Sequence, residues 1–370
     1  MRFYILFASL FFTIFFSNRA FSFYTPSISA NALFLYQNSN FHKEDANPLN
    51  LDEKPNGFDV QETELQFYSD VDPYTRLSLL LSVAPHYVTD GVKISHEWGI
   101  EPEEAFAESN VISDVTLKIG KFKGAMGKHN TLHPHAYPFI GAPLANDKLL
   151  GDEGFKDAGV SAAVLVPTSW FNEITLQYLK GKGDNSEFNS PAAAQGVGLV
   201  HWKNLFDLTD STTFEIGGSF AQGGNSFRQT TALSGADLTL KWRPSEGGKY
   251  TSFLLAAEYL SRKQSQAGLT DEIGNGLASW IQYQFAQRWT VSYRYDDLGI
   301  KNTFDPNLLP NGTITRNSLG LIFAPSEFSS YKFEYNQTHD TRLNADQDDT
   351  EKSIFLQANF TIGAHPTHSY

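Results

Sequence analysis

Apolar and polar residues alternate one by one over most of this chain. Between residues 289 and 296, Trp289, Val291, Tyr293 and Tyr295 interleave with Thr290, Ser292, Arg294 and Asp296. Successive side chains of a strand point to opposite faces, so this segment has one apolar face and one ionic face. The same reading predicts strands at 31–38, 58–71, 74–86, 98–108, 115–127, 157–167, 171–181 and 196–207. It continues at 212–222, 231–243, 251–262, 273–286, 288–299, 314–324, 329–340 and 352–363. Segment 251–262 fits less well, being apolar on both faces. No helical periodicity of useful length interrupts the series.

The links between these segments sort by parity. After the even-numbered segments they are short: VDPY, SNVISD, VPTSW, LTDS, PSEGGKY, AQR and APSEF. After the odd-numbered ones they are mostly longer and polar, at 39–57, 87–97, 128–156, 182–195, 223–230, 263–272, 300–313 and 341–351. A soluble sandwich has no reason to sort its loops this way. An even strand number, with short turns at one end and long loops at the other, predicts an all-β, transmembrane antiparallel β-barrel of about 16 strands. Its apolar faces then meet lipid and its ionic faces line a lumen. The short turns lie in the periplasm and the long loops outside.

The amino terminus agrees. Residues 1–22 have the layout of a secretory signal peptide: Arg2, an apolar run from Phe3 to Phe16, then small residues. Cleavage is expected after Ser22, with Ala30 as the second candidate. The run is shorter than the roughly 20 residues of a spanning helix. Residues 23–370 are then one barrel domain in the bacterial outer membrane. No later apolar run reaches spanning length and the mean hydropathy is −0.32, so any crossing of the membrane falls to strands. The absence of cysteine excludes disulfides and thiolate chemistry. The net charge of −13 becomes −15 once Arg2 and Arg19 leave with the signal, which speaks against nucleic acid as a partner.

The third long link, KHNTLHPHAYPFIGAPLANDKLLGDEG at 128–154, stands apart. Pro134, Pro138, Pro143, Gly141, Gly151 and Gly154 make it stiff and irregular. Leu132, Tyr137, Phe139, Ile140, Leu144, Leu149 and Leu150 give it too much apolar surface for a disordered segment. It is expected to fold onto the inner wall as a pore constriction carrying Lys128, His129, His133, His135, Asp147, Lys148, Asp152 and Glu153. The polar faces of the strands supply the expected pore wall: Arg76, Lys118, Arg288, Arg294, Asp296, Lys332 and Glu334.

Three stretches carry a family resemblance: VQETELQFYSDVDPYTRLSLLLSV (60–83), KIGKFKGAMGKHNTLHPHAYPF (118–139) and LLGDEGFKDAGVSAAVLVP (149–167). They resemble a porin-like family of bacterial outer-membrane β-barrels, related in style to phosphate-selective porins. Its members are sometimes labelled zinc-regulated outer-membrane receptors. The matching stretches cover about the first half of the mature chain. The resemblance implies a barrel and passive or receptor-mediated uptake. An energy-coupled receptor of about 22 strands with a globular plug does not fit this length. General porins also fold their third long loop inward and are commonly trimers, which implies a constriction here and a homotrimer.

The histidines are read as structural. His129, His133 and His135 are the residues that would ligate a metal if one were bound. Proline disturbs the helix that would align them, and no carboxylate stands beside them in sequence, so neither a metal nor another cofactor is expected. His365 and His368 lie in the tail, on the other side of the membrane. No G-x-S-x-G or H-E-x-x-H motif appears, and an enzyme is not expected. The acidic residues of 90–108 and 340–351 are read as loop mouths that meet cations and lipopolysaccharide. The function expected is a passive channel for small hydrophilic or ionic solutes. An outer-membrane receptor or metal-uptake barrel, or a structural or adhesin barrel without an open pore, is the alternative.

Overall fold

Sixteen segments of alternating pattern need one surrounding for their apolar faces and another for their polar faces, and their backbone groups must still find partners. Closing the sheet on itself solves both problems, because a closed barrel has no unpaired edge. The computed structural model describes residues 26–40, 56–89, 94–151, 154–182, 187–191, 195–248, 250–301, 311–341 and 350–363. The expected signal segment 1–22, Asp152, Glu153, His365 and His368 lie outside these residues.

The strands are β1 (Ser27–Ser39), β2 (Gly57–Asp72), β3 (Thr75–Thr89), β4 (Ile94–Ile112), β5 (Val115–Lys123), β6 (Lys156–Leu165), β7 (Phe171–Leu179) and β8 (Val197–Thr209). They continue as β9 (Thr212–Gly224), β10 (Thr230–Trp242), β11 (Ser252–Gln264), β12 (Glu272–Ala286), β13 (Trp289–Lys301), β14 (Gly312–Ser326), β15 (Ser329–Asp340) and β16 (Thr350–Ile362). Each pairs antiparallel with its neighbour in sequence, and β1 closes the ring on β16 from Ala30↔Ile362 to Ser39↔Ser353.

The two faces separate as the alternation demands. On β13, Trp289, Val291 and Tyr293 are exposed on the outside while Ser292, Arg294 and Asp296 are buried on the inside. Leu77, Leu79, Ile119, Leu176, Val200, Ile281, Leu321 and Phe333 extend the exposed apolar band. Aromatic rings gather at the end of the barrel that carries the short turns. Trp170 packs on Phe206 (5.7 Å) and Trp289 on Phe323 (4.6 Å), and Tyr331 meets Phe360 edge-on (6.0 Å). Such a girdle suits a membrane–water interface.

Three sequence expectations are corrected. Parity of loop length is looser than expected: β3 and β4 pair out to Thr89↔Ile94, leaving only 90–93 between them, while 243–251 separate β10 from β11. The acidic flank within 90–108 is not all mouth, because Glu101, Glu103, Glu104 and Glu108 stand within β4. And β5 stops at Lys123 rather than at 127, because the chain turns off the wall at Gly124. A Cβ there would lie 2.8 Å from the Phe155 ring, so only glycine lets the two ends of the following segment close.

Candidate functional site

The segment between β5 and β6 is folded, with a buried neck. Asn130 donates from Nδ2 to the carbonyls of Gly124 (2.8 Å) and Phe155 (2.9 Å), and its Oδ1 accepts from the Phe155 amide (2.7 Å). Gly124 donates to the Phe155 carbonyl (2.8 Å), which ties the two ends together. Two 3₁₀ turns, His129–Thr131 and Pro134–Ala136, shape the first limb, and a single helix α1 (Leu144–Leu150) forms the second. The prolines that forbid a longer helix here also fix these turns.

Its contacts reach strands all round the ring. On one side, Gly127 donates to Ser219 Oγ of β9 (2.9 Å), and the Lys128 and His129 amides donate to Glu258 Oε2 of β11 (3.0 and 2.9 Å). Gly127 is left-handed (φ +68°) and a Cβ on it would lie 2.7 Å from the Glu258 carboxylate. The Lys128 ammonium reaches Glu215 Oε1 (2.7 Å), which Lys203 also approaches through Oε2 (3.3 Å). Farther along, Lys332 Nζ donates to the Tyr137 carbonyl (2.7 Å) and Glu334 accepts the Ile140 amide (2.7 Å). Arg294 donates to the Gly141 carbonyl (2.8 Å) and stacks over Phe139 (4.6 Å), while its partner Asp296 accepts the Leu144 amide (3.1 Å). A segment bonded to β2, β4, β9, β11, β13 and β15 crosses the inside of the closed sheet.

Helix α1 rests on an apolar patch of the inner wall. Leu144, Ala145, Leu149 and Leu150 pack with Leu233, Leu260, Leu298, Ile300 and Ile314. This explains why 251–262 reads as apolar on both faces: Phe253, Leu255 and Tyr259 point out, while Ala256 and Leu260 are buried inside. Glycines make the approach close, since a Cβ on Gly276 would lie 2.5 Å from the Ala145 Cβ. Gly276→Val is therefore expected to lift α1 from the wall and open the segment to protease in a barrel that still folds. Gly141→Ala, where a Cβ meets nothing within 4 Å, is expected to leave it resistant.

The other limb meets a buried ionic cluster. His133 Nε2 lies 3.2 Å from Glu104 Oε2, and its Nδ1 lies 3.3 Å from Glu103 Oε2 and 3.9 Å from Glu64 Oε1. His135 pairs with Glu64 Oε2, and Lys123 Nζ with Glu103 Oε1 at 3.1 Å. Burial and the Lys123 ammonium work to lower the His133 pKa, but hydrogen bonds to Glu103 and Glu104 and the charge of Glu103 hold it up to about 9. His129 is the opposite case: burial, then the positive charges of Arg294 and Lys123, hold it well below the usual imidazole range, and its ring packs on Tyr137 at 4.3 Å. Burial and the carboxylates of Glu103, Glu62 and Glu64 push the Tyr137 phenol up to about 12, against Lys123.

The expected site residues therefore fall in different places. Lys128, His129, His133 and His135 are drawn into the interior contacts, whereas Asp147 and Lys148 pair with each other (2.9 Å) on α1. Arg294, Asp296, Lys332 and Glu334 face inward as wall residues but are covered by the segment they hold. Lys118 lies over the Phe106 ring at 4.1 Å. Arg76 sits at the turn end, paired with Asp70 at 3.0 Å. Arg288 stands exposed in the turn before β13, outside any strand, because the strand begins only at Trp289. Sequence reasoning missed Glu64, Glu103, Glu104, Asn130 and Glu258. A carboxylate inside the apolar stretch LLAAEYL was the one local signal for Glu258.

No protein-family model matches the chain. An uncharacterized protein of Aquifex aeolicus is 27% identical over 355 residues, covering 86% of this chain and 71% of that one. The anion-selective porin from Comamonas acidovorans superposes with a TM-score of 0.60 at 8% identity, over 92% of this chain and 100% of that one. OmpT of Vibrio cholerae, in its trimer form, superposes with a TM-score of 0.57 at 11% identity, over 92% and 99%. The closed ring of sixteen strands, with an apolar outside and a polar inside, has the fold of these porin-type β-barrels.

Proposed function

We propose that this chain is an outer-membrane porin, a passive diffusion channel for small hydrophilic or ionic solutes whose bore is set by residues 124–155. The observation that carries this reading is the bonding of that segment across the inside of a closed sixteen-stranded ring. A ring of this size encloses an aqueous channel wider than side chains alone fill, so a crossing segment narrows it. Lys128, Asp147 and Lys148 then stand at the constriction, with His129, His133 and His135 buried behind it. Lys203 and Glu215, both only partly buried, stand among the charges on the wall it leaves open. The barrel sits in outer-membrane lipid and lipopolysaccharide, and the trimer form of the Vibrio cholerae structure supports a homotrimer here.

Single-channel recording in a planar bilayer tests the function. The intact protein is expected to give discrete steps, and deletion of 130–150 a clear rise in conductance, with ion selectivity altered on replacing Lys128. A barrel that stays electrically silent both intact and deleted overturns the porin reading in favour of a receptor or a structural barrel.

A further inference from the structure

Three ligand-type atoms converge where the crossing segment meets β2 and β4. Glu64 Oε1, Glu103 Oε2 and His133 Nδ1 belong to buried side chains and form a group whose ligand atoms lie within 4.8 Å of one another. We propose that Glu64, Glu103 and His133 form a binding site for one divalent first-row transition ion, with Zn²⁺ as its probe, that ties the segment to the wall. The inference goes beyond the channel reading, since a barrel without an open pore would hold the same ion.

The spacing is that of a metal site. Ligand atoms about 2.0–2.2 Å from a tetrahedral ion stand roughly 3.3–3.6 Å apart. Here His133 Nδ1 lies 3.3 Å from the Glu103 oxygen and 3.9 Å from the Glu64 oxygen, with all three atoms within 4.8 Å of one another, so the two carboxylates close on the ion as it binds.

The second atom of each ligand is held from behind. Glu104 takes His133 Nε2, which leaves Nδ1 facing the centre. Lys123 takes Glu103 Oε1, and His135 takes Glu64 Oε2. A carboxylate on the far nitrogen of a ligating imidazole is the usual means of fixing its tautomer and ring orientation. A register slip creates the arrangement: Leu80 pairs with Glu104 and Leu81 with Pro102, so Glu103 is the extra residue of a bulge. Both neighbouring carboxylates thereby reach the interior, which an unbulged strand forbids.

Charge points the same way. Three buried or half-buried carboxylates, Glu64, Glu103 and Glu104, meet His133, and one ammonium, Lys123, pairs with Glu103. Buried charge is costly unless it is balanced, and one divalent ion balances the remainder. Two protons, on His133 and His135, would do the same, and these are the competing occupant. One imidazole with two carboxylates suits zinc-like ions better than calcium or magnesium, which take oxygen ligands.

The test uses the full chain without a histidine tag, stripped with chelator in detergent micelles. Zn²⁺ is titrated by calorimetry, and Co²⁺ serves as a visible-absorption probe of tetrahedral coordination. The expected result is one equivalent per chain with a tetrahedral Co²⁺ spectrum. Glu64→Gln, Glu103→Gln and His133→Ala should each abolish that equivalent, and Glu104→Gln should weaken it by about 10–100-fold. His339→Ala, on β15, should leave it intact. Heat-dependent gel migration confirms that each variant is a folded barrel. Failure of the folded wild-type chain to bind either ion saturably overturns the proposal. So does binding that survives both glutamine substitutions, and either result leaves protons as the occupants.

Discussion

Glu258→Ala is expected to release the crossing segment from the far wall, with a higher and noisier single-channel conductance and new protease cleavage within 128–150. Glu258 is 2% exposed and accepts three hydrogen bonds: the amides of Lys128 (3.0 Å) and His129 (2.9 Å) and the side-chain amide of Asn146 (2.8 Å). One carboxylate thus holds both limbs, the turn at Gly127 and helix α1. Alanine strands two buried backbone donors at about 1–3 kcal/mol each. Together, at about 2–6 kcal/mol, they shift the docking equilibrium by a factor of roughly thirty to more than ten thousand. Glu258→Gln keeps an acceptor oxygen for the two amides and should give a much smaller change. Wild-type conductance and full protease resistance in the alanine variant would show that other contacts hold the segment.

Asn130→Ala should lower the stability of the barrel itself. The side chain is 3% exposed and makes all three of its bonds to the backbone at the neck. The carbonyls of Gly124 and Phe155 keep second partners, in Met126 and Gly124 respectively, but the Phe155 amide loses its acceptor. Two lost bonds and one stranded donor amount to about 2–6 kcal/mol. The neck also joins β5 to β6, so opening it costs strand pairing as well as the segment. The measurement is the temperature at which the folded species converts to the slower-migrating unfolded form on a gel. A midpoint equal to that of wild type would show that the bond between Gly124 and Phe155 closes the neck alone.

The strands were legible from the chain because each needs only local information. Segment 329–340 shows Tyr331, Phe333 and Tyr335 against Lys332, Glu334 and Asn336, and β15 spans those residues with the lysine, glutamate and asparagine buried inside. The segment that failed to alternate, 251–262, did so for a reason that local pattern cannot hold. Its inward Ala256 and Leu260 meet an apolar surface created by the crossing segment, so apolar residues appear on both faces around the inward Glu258. Likewise β5 read as running to 127, because nothing nearby shows that Phe155 waits beside Gly124.

The sequence by itself determined the closed all-β architecture, the number of strands, which residues face out in the strands that alternate, and which link is too apolar to lie in water. All of these follow from a period of two and from the solvent on each side of the sheet. Only the tertiary structure decided where that link docks, that Glu258 and Asn130 hold it, and that a bulge at Glu103 turns two neighbouring carboxylates toward His133. Those contacts join residues from about 20 to nearly 200 positions apart, such as Asn130 with Phe155 and Ile140 with Glu334. Their geometry depends on strand register and ring closure, which no local stretch of sequence encodes.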